Sequence, residues 1–94
     1  MTVIHINENE KKIILNGHAD DSRVCAGISA LVYAFKGYLD NFAVECDYRI
    51  ESGEVFCHIK DEKGTEVFNL LTIGLMQIEK AHPENVKIFK LWGE

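Results

Sequence analysis

The apolar and polar positions divide the chain into short stretches of two different periods. Thr2 to Ile6 is rich in β-branched residues, and after the polar turn Asn7-Glu8-Asn9-Glu10 a second such run, Lys12 to Asn16, comes at hairpin spacing. Gly17 to Asp21 breaks this pattern, and Asp21 or Ser22 supplies an N-cap for a helix. Cys25, Ile28, Leu31, Val32, Phe35 and Leu39 then recur at helical period, and the spacing predicts that helix from about Arg23 to Leu39. Ala26, Gly27, Ala30 and Ala34 give it small surfaces for close packing.

Val44, Cys46, Tyr48 and Ile50 alternate with Glu45, Asp47 and Arg49, the period of a strand with one buried face. Ser52-Gly53 turns the chain into a further strand, Glu54 to Lys60, which Asp61-Glu62-Lys63-Gly64 ends. Thr65 is placed to cap a second helix with the stripe Val67, Leu70, Leu71, Gly74, Leu75 and Ile78, running to about His82, where Pro83 forbids continuation. Phe68, Ile73 and Met76 lie off that stripe, covering neighbouring strands or forming a dimer face. Val86 to Trp92 reads as the last strand. The order β-β-α-β-β-α-β predicts an α+β domain spanning 1–94, with a mixed, mainly antiparallel sheet and two helices packed on it.

Composition fits one small globular core: 94 residues, 47% hydrophobic and 27% charged. With little area to bury and no staple, such a chain is expected to gain from homodimerisation. The net charge of −5 comes with no basic run, which argues against a nucleic-acid surface and favours a basic peptide partner. Three cysteines, at 25, 46 and 57, form no CxxC pair and suit a reducing cytosol. No metal set or cofactor motif emerges, and neither a leader pattern nor a membrane-length apolar run is present, so the expectation is a soluble, cytoplasmic protein with no membrane partner. Cys46 and Cys57 fall on the apolar sides of strands and read as core; His5 and His58 read as strand residues and His82 as a helix-end cation.

Candidate chemistry concentrates in GHADDSRVCAGISAL, residues 17–31, where a potential nucleophile and base stand close in sequence. With Ser22 as cap, Cys25 falls in the first helical turn, where the dipole favours a thiolate. That contribution, about 0.3–1 kcal/mol, is under one pKa unit and leaves a thiol of pKa near 8.5 mostly protonated at neutral pH. An imidazolium about 3.5 Å away adds a gross attraction on the order of 4–5 kcal/mol at an effective dielectric near 20. His18 is the nearby candidate, to act as base and then as acid to the leaving amine, with the amides of Cys25 and Ala26 holding the oxyanion. Gly17 would let the backbone approach the substrate. Residue types alone leave the choice open, because a Cys on a helix stripe is as a rule core and a loop His a surface group.

Gly17-His18, a loop, then Val24-Cys25-Ala26-Gly27-Ile28-Ser29-Ala30-Leu31 resembles the signature of the ribosomal-processing cysteine proteases, and the second helix with His82-Pro83-Glu84-Asn85-Val86-Lys87-Ile88 resembles that family's C-terminal segment. The resemblance implies a small cytoplasmic homodimer that removes a short N-terminal extension from a large-subunit ribosomal protein of the L-twenty-seven family. It implies His18 and Cys25 as the dyad and Gly17 and Ser29 as supporting positions. Ser29 is four residues beyond Cys25, on the same helix face. The chain departs from the pattern in two places: six residues separate His18 from Cys25 where the family has more, and Ser22 stands where it has Asp. Asp20 or Asp21 could replace that carboxylate. A catalytically inactive or altered-specificity peptide-binding homologue of the same fold is the alternative.

Overall fold

The computed structural model describes residues 1–91. Five strands and two helices come in the order β1 (Thr2–Asn7), β2 (Lys12–Asn16), α1 (Ser22–Asn41), β3 (Cys46–Glu51), β4 (Glu54–Ile59), α2 (Thr65–Ala81) and β5 (Val86–Leu91), with a single 3-10 turn, Glu62–Gly64, ahead of α2. The sheet order is β3-β4-β2-β1-β5, antiparallel throughout except for the parallel pair β1 and β5. The register aligns Ile4 with Leu15 and Ile88, and Leu15 with Val55, so residues two apart on each strand share one face. Ile4, Ile6, Ile13, Leu15, Val55, Cys57 and Ile59 on that face pack with Val24, Ile28, Val32, Phe35, Phe68, Leu71 and Leu75 of the helices in one core. The opposite face carries Ile14 and the stacked rings of His5 and Phe89, whose centroids are 5.2 Å apart.

The expected α+β architecture is therefore present, with four differences of detail. α1 starts one residue early and runs two past Leu39, because Asp21 rather than Ser22 is the cap: its Oδ1 accepts the Arg23 N–H at 2.8 Å. Arg23 also reaches back with its guanidinium, Nη2 to Oδ2 at 2.9 Å. β3 begins at Cys46 because the Val44 N–H is spent on the Leu39 carbonyl in the helix-end turn. Asp61 to Gly64 does not simply end β4. Asp61 caps the 3-10 turn through the Lys63 N–H, and Gly64, wedged against Ile59 and Val44, leads into α2 with Thr65 as the first helical residue, not its cap. α2 is also turned from the expected stripe: Phe68 and Thr72 are buried and Leu70 is 66% exposed. The expected end of the last strand at Trp92 lies outside the described residues.

The helices approach closely where side chains are smallest. A Cβ on Gly74 would stand 2.9 Å from Leu31 Cδ1, and one on Gly27 would meet Ile78 Cδ1 at 3.5 Å. Among the described residues no helix is long and apolar enough to cross a membrane.

The Asp21 cap predicts an acid limb in stability. Hydrogen bonds from the Arg23 side chain, and then from its backbone N–H, lower the Asp21 carboxyl from its usual 3.8 to about 2. A depressed folded-state pKa stabilises the fold above the unfolded-state value, and that contribution disappears as pH falls from about 4 through 2. Asp21→Asn retains an acceptor and removes the charge, so its thermal midpoint should fall less than that of wild type between pH 4 and 2. Parallel acid limbs would show that Asp21 does not contribute.

Candidate active site

α1 supplies one wall of a cleft of about 290 Å³ with Cys25, Ile28, Ser29, Val32 and Tyr33, positions that share a helix face at spacings of three and four. The β3–β4 hairpin supplies the other with Ile50, Glu51, Ser52, Gly53 and Val55. Thr2, Leu15, Gly17 and His18 complete the lining. The two walls are tied at a distance from the thiol, where the Tyr48 hydroxyl of β3 donates to Asp40 Oδ1 at 2.8 Å and Lys36 holds the other carboxylate oxygen at 3.0 Å. These bonds, that of Lys36 first, keep the Asp40 carboxyl below its usual range.

Cys25 is half-buried on the margin of the α1 stripe, neither in the core nor fully in solvent. Its sulfur donates to the Ala19 carbonyl at 3.3 Å. His18 is exposed and opens on the same cleft, but no hydrogen bond joins the two side chains. With the cap at Asp21, Cys25 is the fourth helical residue, and its own N–H donates to the Asp21 carbonyl at 3.1 Å. The expected oxyanion donor is therefore inside the helix ladder. Ala26, one residue further on, is exposed and outside the cleft lining.

The remaining expected positions have distinct places. Gly17 has φ of 96°, and a Cβ there would strike the Met1 carbonyl oxygen at 2.4 Å. The close approach that demands glycine is to the chain's own first residues, and Gly17 also lines the cleft. Ser29 faces the cleft. Ser22 is exposed at the first helical position, and Asp20 is exposed beside it. Both carboxylate oxygens of Asp21 accept from Arg23, and no bond joins Asp21 to His18.

Tyr33, Ile50, Glu51 and Gly53 were not legible as site residues. Tyr33 had a usable signal, eight residues from Cys25 on the same face; the hairpin residues are brought in by tertiary packing. Cys46 and Cys57 belong to the core side of the sheet. Burial raises the Cys46 thiol, and burial together with Cys46 pushes Cys57 up to about 12. Among the described residues no group of three His, Cys, Asp or Glu is placed to hold a metal ion.

A thiol and an imidazole opening on one cleft of a two-layer α+β frame are the components of thiol-dependent acyl chemistry. The chain belongs to the family of the cysteine protease Prp, whose model matches residues 1–87. No curated protein sequence matches it significantly. Among solved structures, the essential ribosomal processing protease Prp from S. aureus with a covalently linked product peptide superposes with a TM-score of 0.85 at 22% identity, over 97% of this chain and 100% of that one. The S. aureus enzyme with a substrate peptide gives 0.84 at 20% identity with the same coverage. SMU.848 from Streptococcus mutans gives 0.72 at 19% identity, covering 98% of this chain and 93% of its own.

Proposed function

We propose that this cysteine protease removes a short N-terminal extension from a large-subunit ribosomal protein of the L-twenty-seven family, with Cys25 as nucleophile and His18 as its base. The reading rests on one observation: in a chain of a cysteine protease family, the only cysteine that lines the cleft shares it with His18. The imidazole takes the thiol proton as the sulfur attacks the scissile carbonyl, and returns it to the departing amine as the thioester forms. Water then enters with His18 as base, the C–S bond breaks, and the thiol is restored. For this the sulfur turns from the Ala19 carbonyl toward His18, a side-chain rotation of the kind that closes loose unliganded sites.

The ribosomal substrate is supported by the ribosomal processing role of the S. aureus relatives and by the net charge of −5, which attracts a basic tail. Three free cysteines fit work in the reducing cytoplasm. A homodimer through α2 is supported by Leu70, Ile73 and Met76, large apolar residues exposed on one side of that helix. A second reading, a binding module without turnover, is favoured by the thiol's bond to Ala19 rather than to His18. Incubation with extended ribosomal-protein peptides, read by mass spectrometry, separates them. Cleavage at one bond supports the protease; binding without cleavage, across a panel of sequences, supports the module.

A further inference from the structure

Gly53, at the tip of the β3–β4 hairpin, has φ of 74°, a region that side-chain-bearing residues seldom enter. The space beside its Cα is filled by His18: a Cβ built there would lie 2.4 Å from Nε2, 2.9 Å from Cε1 and 3.0 Å from Cδ2. The same glycine accepts, at its carbonyl, the N–H of Gly17 at 2.9 Å. Both the backbone leading into His18 and the outer edge of its ring are therefore set against one residue, 35 positions further along the chain (53 − 18).

We infer that Gly53 is a positioning residue for the base: the hairpin tip, rather than the short segment between His18 and Cys25, determines where the imidazole stands. This accounts for how a loop of six residues holds a histidine on the cleft. The segment need only span the gap, because location is supplied from the neighbouring β3–β4 hairpin by a hydrogen bond and a bare Cα that admits the ring. The inference rests on His18 serving Cys25, and its test is arranged to fail separately from that reading.

Gly53→Asn is the informative variant, because Asn tolerates the left-handed region and spares the turn while its Cβ takes the ring's place. A displacement of about 1 Å at a reacting group costs on the order of 10²-fold, so kcat of Gly53→Asn should fall about 10- to 100-fold with KM changed less than about threefold. Circular dichroism should be that of wild type. An unchanged or raised kcat in the folded variant overturns the inference. Independently of turnover, nuclear Overhauser contacts between the Gly53 α protons and the His18 ring protons should appear in the wild-type protein, and their absence overturns it too. A protein that cuts no peptide yet shows these contacts loses the protease reading and keeps the seat.

Discussion

Cys25→Ala is expected to reduce peptide cleavage by at least about 10³-fold while the chain remains folded, since loss of an attacking atom removes the covalent route altogether. The structure makes the variant clean. The sulfur has one hydrogen bond, to the Ala19 carbonyl, and lies on an open cleft, so truncation leaves no sealed cavity and Ala continues the helix without penalty. The thermal midpoint should therefore stay within a few degrees of wild type. Cys25→Ser is the sharper control, as it can keep the Ala19 contact and should lose nearly as much rate. His18→Ala should fall into the same range of residual activity, and the double variant should be no worse than the poorer single one, because residues acting as one unit are not additive. Initial rates by chromatography, at fixed peptide concentration, measure all of these. Cleavage by Cys25→Ala within tenfold of wild type would assign the chemistry to another residue.

The largest expected loss of stability is at Phe68→Ala. Phe68 is 1% exposed, the largest of the fully buried side chains among the described residues, and belongs to the core that the helices and sheet share. Removing a buried aromatic ring costs about 3–5 kcal/mol through lost transfer energy and the cavity left behind. A small domain holds on the order of 5–15 kcal/mol in total, so a measurable unfolded fraction is expected near room temperature. Leu70→Ala is its counterpart. Leu70 is 66% exposed, and the substitution should change chain stability by under about 0.5 kcal/mol while loosening any association through α2. Denaturant titrations of the two, with unchanged slopes, give the comparison. Equal losses, or the reverse order, would place α2 in the orientation of the sequence-derived stripe instead.

That orientation shows where periodicity stops being informative. α2 is apolar at 67, 68, 70, 71, 73, 75, 76 and 78, so its pattern admits two overlapping stripes. The choice falls to packing, which buries Phe68 and Thr72, while the contact of Gly74 with Leu31 fixes the roll against α1. In α1 a single stripe exists, and its buried residues at 28, 32, 35 and 39 are among those the spacing indicates. The strands were legible for the same reason: β1 and β2 have one covered face and a short turn between them. The parallel pairing of β5 with β1 carries no local signal at all.

The site divides in the same way. The segment from Gly17 to Leu31 was readable because its members are close in sequence and share a helix start. Gly53 and Glu51 were not, because a turn residue acquires a second role only when a distant loop lands on it. The oxyanion donor expected at Cys25 turned on a one-residue difference in the cap. At a helix terminus, that separates an unpaired amide from one already committed to the ladder.

Among the described residues, those lining the cleft all fall between Thr2 and Val55, and none belongs to α2 or β5. The cleft is thus built by the part of the chain up to Val55, while the core draws on the whole domain. Substitutions after Val55 can alter how firmly the frame holds, or what it associates with, while leaving the cleft walls untouched. Those before it are constrained by the core and, on the proposed function, by the peptide as well. A search for altered specificity should therefore concentrate its diversity on Tyr33 and Glu51, reserving the C-terminal helix for mutations that restore robustness.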